Sequence, residues 1–246
     1  MFVPPETQTT TLRQRLHAFL DGRVWTSEDP TANGRRASAA HHVDRSLAFI
    51  SISMADYERA ASAWDAANRA LLEGAEAGPV SPEHWAQLQA HAHLSHEVHL
   101  RIETFYVNAR VLMDALVVLV DELKRPCAVM IGGHSNLKRR LPDVAAEGCL
   151  SEPPPQLCAL IDQVTMRIKD FRDDHVSHVR EARYMKGTRF NTQDSLSARI
   201  GIFTAFPHSE GTFESELPSE LWPLIEQYVD TWIEYLVVSL DARKPA

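Results

Sequence analysis

The sequence predicts an all-α fold: an antiparallel helical bundle with long connections and one small β-hairpin at most. Three observations predict it. Val98, Ile102, Phe105, Ala109, Leu112, Leu116, Leu119 and Leu123 step by 4, 3, 4, 3, 4, 3 and 4, the spacing that keeps one face of an α-helix apolar. Leu157, Ile161, Val164, Ile168 and Phe171 step by 4, 3, 4 and 3 in the same way. Leu221, Leu224, Tyr228, Trp232, Tyr235 and Leu236 line one side of the segment from Pro218 to Leu240, with Ser219 as its expected cap.

In chain order, residues 1–11 are rich in Thr and Pro and read as a loose arm. Leu12, Leu16, Phe19 and Leu20 share one face of a short helix. The run from Asp21 to Gly34, with two Gly, one Pro and an Asn-Gly pair, reads as a loop. A helix is expected from Ala37 to Leu72 on Val43, Leu47, Ile50, Met54, Tyr57, Ala61, Trp64 and Leu71, with a break and restart at Ser53 or Asp56. Gly74, Gly78, Pro79 and Pro82 mark a connector, after which Ser81 caps the longest helix, from Pro82 to Leu123. Val107, Val111 and Val118 give that helix a second apolar stripe, as expected of a central helix or one that meets a partner chain. Arg125 to Pro155 reads as a long irregular segment, and segments of that length are often functional. Tyr184 to Phe190 and Arg199 to Phe206 carry the β-branched and aromatic content of a hairpin. Residues 1–80 are thus expected to form a helical extension packed on the bundle, and residues 81–246 the bundle itself. No repeat of fixed period is present.

The formal charge of −8 means that any nucleic-acid contact must come from a local basic patch. Cys127, Cys149 and Cys158 have no metal-ligand spacing, which points to a reducing compartment and away from a structural zinc site. The start lacks the pattern of a secretory leader, and the most apolar run, Ala115 to Val120, is too short to span a bilayer. A cytoplasmic protein with no membrane partner is expected.

The chemistry concentrates in Phe171-Arg172-Asp173-Asp174-His175-Val176-Ser177-His178. Continuing the steps of the preceding helix lands on His175 and His178, where a plain core helix would carry Leu. Arg holds a phosphate bidentately and keeps its proton, and His exchanges protons near neutral pH. Asp174 and His178 are i,i+4, so the carboxylate can orient the imidazole; Arg172 and His175 are i,i+3, which makes His175 a rival to His178. In one continuous helix Arg172 and His178 would point roughly 120° apart, so a helix end or two facing copies would be needed to bring them to one phosphate. Arg180, Arg183, Lys186 and Arg189 follow against only Glu181, a local surplus suited to a nucleic-acid backbone. The bland alternative is a buried ion-pair network with capping histidines.

This run resembles the signature of the HEPN superfamily (higher eukaryotes and prokaryotes nucleotide-binding domains): an Arg, a polar residue, and a His four to six positions after the Arg. The long helix carrying Asn108-Ala109-Arg110 adds to the resemblance, which covers about residues 84–240 and looks most like the abortive-infection and toxin branch. It implies a metal-independent endoribonuclease acting as a homodimer on RNA, needing no cofactor, with an antitoxin protein among the partners it raises. Carried over, Arg172 would stabilise the phosphorane, His178 would transfer protons and Asp173 would tune the pair. The superfamily also contains inactive members, so a non-catalytic nucleotide-binding or protein-interaction module is the alternative.

His84, His91, His93, His96 and His99 crowd the start of the long helix, and His93, His96 and His99 would be the ligands of a metal-dependent enzyme. A solvated face is the preferred reading of such a cluster, so no metal is expected. Gly132-Gly133-His134-Ser135-Asn136 lacks the Gly-Lys-Ser/Thr ending of a phosphate loop and reads as a loop with a basic tail, Lys138, Arg139 and Arg140, that could touch RNA.

Overall fold

The computed structural model describes residues 12–19, 30–74, 81–125, 127–169, 184–190, 198–205 and 213–242. Helix α1 (12–19) buries Leu12, Leu16 and Phe19, the face its spacing predicts. Helix α2 (Pro30–Glu73) begins seven residues before the expected Ala37, because Pro30 takes the first helical position, where its missing N–H costs nothing. Asn33 and Gly34 lie inside this helix and form no turn. The break expected at Ser53 or Asp56 does not occur. Ser53 is buried within the helix, and the Asp56 carboxylate accepts hydrogen bonds from Arg59 and Arg101, so it does not cap a new helix.

Helix α3 (Pro82–Leu123) opens as predicted, with the His84 N–H donating to Ser81 Oγ at 3.1 Å. All eight residues of its predicted seam, Val98 through Leu123, are buried. The second stripe is not: Val111 and Val118 are 46% and 51% exposed. The segment after α3, expected to be irregular, contains a 3-10 turn (His134–Asn136) and helix α4 (Leu137–Ala146), which buries Leu137, Leu141 and Val144. Pro142 is tolerated in this helix, although proline usually reads as a breaker. Helix α5 (Pro155–Val164) buries Leu157, Leu160, Ile161 and Val164, then widens into a π-helical turn (Thr165–Lys169).

Strands β1 (Tyr184–Phe190) and β2 (Ala198–Ala205) form the expected hairpin, with Gly187 opposite Gly201. A third strand, β3 (Phe213–Glu216), was not expected; it pairs antiparallel with β2 to give the order β1-β2-β3. Helix α6 (Pro218–Asp241) buries every residue predicted for its inner face. Its cap is not Ser219. The Leu217 N–H donates to Glu220 Oε2 at 2.9 Å, a reach-back from the third helical position. The fold is all-α apart from this small sheet. Among the described residues no helix is long and apolar enough to cross a membrane.

The chain divides into two compact units. One draws on Met1–Ser51, Val107–Asp170 and Trp222–Ala246, the other on Ile52–Tyr106 and Phe171–Leu221. This division does not coincide with a boundary at residue 80. At 44 and 42 residues, α2 and α3 each provide roughly 60 Å of helix, more than one small core can cover, and each contributes to both units.

In the first unit, Arg13 grips Asp44 through Nε at 2.6 Å and Nη2 at 2.9 Å, which holds the Asp44 carboxyl below its usual range and pins α1 to α2. The Tyr235 hydroxyl donates to the Ser151 carbonyl at 2.7 Å, and the Ser151 N–H donates to Ser239 Oγ at 3.1 Å, tying the approach to α5 onto α6. In the second unit, the Tyr57 hydroxyl donates to the Ile200 carbonyl at 3.0 Å and Asp65 accepts the Ala198 N–H at 2.6 Å, which docks β2 on α2.

Candidate functional site

The best-built polar cluster of the described residues centres on His134. Gly132, at φ +73°, turns the chain in a way that disfavours side chains, and His134 then opens the 3-10 turn with 0% exposure. Its Nε2 lies 2.7 Å from the Tyr228 hydroxyl and its Nδ1 3.3 Å from Thr165 Oγ1. Both ring nitrogens are therefore bonded, one as donor and one as acceptor in either neutral tautomer. Burial pushes the imidazole pKa down to about 3, with the positive charges of Arg110 and Lys169 adding to the effect. Burial likewise raises the Tyr228 phenol above its ordinary value. Both shifts favour the neutral pair near pH 7, and its hydrogen bonds clamp His134 to Tyr228 and Thr165.

The clamp matters for where it holds the chain. Thr165 is the first residue of the π-helical turn, and that turn ends at Lys169, just before the Arg-Asp-Asp-His run of the sequence. Arg110 on α3 lies within the electrostatic reach of both His134 and Tyr228. Its Nη2 pairs with Asp114 at 3.1 Å, while its buried Nη1 has no hydrogen-bond partner among the described residues.

Of the residues expected at the site, Arg172, Asp173, Asp174, His175, His178, Arg180 and Arg183 lie outside the described residues. Lys186 stands on β1 opposite Ile202. Extending the α5 spacing to His175 and His178 assumes an unbroken α-helical period, and the wider turn at Thr165–Lys169 interrupts that period.

The basic tail lies on the first turn of α4, not on a loop. Lys138 Nζ meets Asp162 at 2.5 Å, Arg139 Nη2 donates to Asn136 Oδ1 at 3.0 Å, and Arg140 Nη1 meets Asp143 at 3.2 Å. All three cations are already engaged. Exposed pairs of this kind are weak and screened by water.

The histidines at the start of α3 do not converge. His93 and His96 are exposed, and neither they nor His99 belong to a group of metal-type donors among the described residues. The His91 ring lies tilted against Trp64 at 5.2 Å, its Nε2 buried without a partner among the described residues and its pKa lowered by burial. Among the described residues, the donors that do converge are Cys127, Glu147 and Cys149. The Cys127 thiol is pushed up to about 12, first by burial and then by Glu147 and Cys149 beside it. Next to Cys127 opens a pocket of about 810 Å³ lined by Arg35, Arg36, Val118, Lys124, Arg125 and Met130, among others. Glu122 pairs with Arg35 and Arg125, and Asp121 with Lys124, while the buried Arg36 Nε has no partner among the described residues.

Sequence reasoning missed both clusters. A single His between Gly-Gly and Ser-Asn carries no burial signal, and cysteines placed so far apart carry no ligand spacing. No protein-family model matches the chain, and neither a curated protein nor a solved structure matches it.

Proposed function

We propose that the chain is a HEPN-like, metal-independent endoribonuclease of the toxin or phage-defence type. The observation that carries this reading is the placement of Phe171-Arg172-Asp173-Asp174-His175-Val176-Ser177-His178 immediately after a clamped π-helical turn. Such turns are rare and recur at functional sites. The mainly helical fold and the buried face from Leu157 to Ile168 are in keeping with it.

In the proposed reaction a ribose 2′-OH attacks its neighbouring phosphate, leaving a cyclic phosphate and a 5′-OH. Arg172 neutralises the charge that develops on the phosphorane, and its permanent proton suits that role. His178 moves the proton, with His175 as its rival, while Asp173 and Asp174 set the basicity and orientation of the imidazole. Two copies facing each other complete the site. Arg180, Arg183 and Lys186, with Lys138, Arg139 and Arg140, follow the RNA backbone. An antitoxin protein is the expected restraint on such an activity in a cell.

A second reading, a non-catalytic interaction module, is favoured by one observation: Val111 and Val118 present apolar surface on α3 at about half exposure. One assay separates the two. Total cellular RNA is incubated with wild type, Arg172→Ala and His178→Ala at equal folded concentration, with chelator present. The ribonuclease reading expects chelator-resistant cleavage by wild type and a drop of at least about 100-fold in both variants. No cleavage by folded wild type, or full activity in Arg172→Ala, would rule it out.

A further inference from the structure

Cys127 and Cys149 are far apart in sequence, and the end of α4 brings them together. Gly148 sits at φ +69°, in the left-handed region that closes helices. Its N–H donates to the Ala145 carbonyl at 2.8 Å, and the Cys149 N–H donates to the Val144 carbonyl at 3.1 Å. This tight turn puts Glu147 and Cys149 on the side that meets the chain leaving α3. There Glu147 Oε2 accepts from the Cys127 thiol at 3.0 Å and from the Ala128 N–H at 3.3 Å. One donor atom each from Cys127, Glu147 and Cys149 falls within 4.8 Å of the other two.

We propose that Cys127, Glu147 and Cys149 form a binding site for a zinc-type divalent cation, which staples the chain after α3 to the turn that ends α4. The distances fit. Around tetrahedral zinc, thiolate and carboxylate donors stand roughly 3.5–3.8 Å apart; Cys127 Sγ and Glu147 Oε2, 3.0 Å apart, need only open slightly, and Cys149 lies within 4.8 Å of both, so small side-chain shifts suffice. The donor set selects the ion, since two thiolates favour zinc and its soft relatives over magnesium or calcium. Three protein donors leave a fourth position for water. The Ala128 N–H fixes the carboxylate from outside, as outer partners do at metal centres. Cys127 also borders the open pocket, which gives an ion a route of entry. A disulfide would use the same two sulfurs, but it would take the Cys127 donor away from Glu147 and leave the orientation of that carboxylate without a purpose. The site stands apart from the ribonuclease reading and holds whether or not the chain cleaves RNA.

The test is titration of the reduced full-length chain with Co²⁺, followed by displacement with Zn²⁺. The expected result is one equivalent bound, with thiolate-to-cobalt charge-transfer absorption that zinc removes. Cys158→Ser retains this signal, and Cys127→Ser and Cys149→Ser lose it. Glu147→Gln weakens binding by at least about tenfold, since even outer partners of a metal contribute that much. Wild type supplies a check that needs no variant: bound zinc shields Cys127 and Cys149, but not Cys158, from a thiol reagent. No cobalt absorption, an unchanged signal in Cys127→Ser, or equal labelling of all three cysteines with and without zinc would overturn the proposal.

Discussion

The start of α3 and the segment between α3 and α5 have opposite appearances in sequence and in structure. The first holds His84, His91, His93, His96 and His99 at helical spacing and looks like a site. The second holds three glycines, a mid-segment proline and scattered polar residues, and looks like a loop. In the structure the histidines splay along a half-exposed helix, and no residue from 81 to 97 is buried. The supposed loop buries Ile131, His134, Leu137, Leu141 and Val144, and it contains both the His134 clamp and the cysteine cluster. A row of polar side chains on one helix marks a direction, whereas a site needs donors from different elements turned toward one point.

The largest effect expected from this contrast is at His134. Replacing it by Ala leaves the Tyr228 hydroxyl and Thr165 Oγ1 without their partner and opens a cavity in the first unit. A loss of about 3 kcal/mol is expected, combining the penalty for unpaired buried groups with the missing volume. His93→Ala and His96→Ala, on exposed positions, should change stability by no more than about 0.5 kcal/mol. Urea unfolding of the three variants decides; comparable losses in all of them would erase the contrast.

The response to acid probes the same residue. Folding lowers the His134 pKa from 6.5 to about 3. The unfolded chain therefore takes up a proton below about pH 6.5 that the folded chain refuses until about pH 3. The stability tied to neutral His134 is fully present above pH 6.5 and is lost as the pH falls toward 3, by up to about 1.4 kcal/mol per pH unit. Carboxylates such as Asp44 add acid losses of their own, so the informative quantity is the difference between wild type and His134→Gln. The variant curve should be shallower across that window. Parallel curves would mean that folding leaves the His134 pKa unshifted.

These two predictions also show what was legible in the sequence. The seams of α3, α5 and α6 were, because an apolar residue every three or four positions has few ways to be buried other than on one helix face. The hairpin was, from its β-branched and aromatic content. The start of α2 was not: Pro30 and Asn33-Gly34 are turn signals when read locally, and packing of Ala39, Ala40 and Val43 overrode them. The clamp was invisible because Thr165, Tyr228 and His134 come from three separate stretches, and only tertiary packing brings them within hydrogen-bonding distance. The Arg-Asp-Asp-His run lies outside the described residues, and the spacing that singled out its histidines assumes a helical period that the π-helical turn at Thr165–Lys169 interrupts.

The smallest effect sharpens the comparison from the other side. His91 falls on the extension of the α3 seam, yet it is only half-buried, with Trp64 against its ring and Nε2 without a partner among the described residues. A seam histidine of this kind is a core position filled imperfectly. His91→Phe keeps a ring against Trp64, removes the unpaired nitrogen and adds apolar area, so it should stabilise the chain by about 0.5–1 kcal/mol. A ligand or a catalytic group behaves differently, because its replacement leaves stability unchanged or raises it at the expense of binding or turnover. If His91→Phe raises the urea midpoint without altering cobalt binding or RNA cleavage, the histidine-rich start of α3 is structural. If it weakens either one, that end of the helix regains its claim to be a site, and the contrast with the segment after α3 fails.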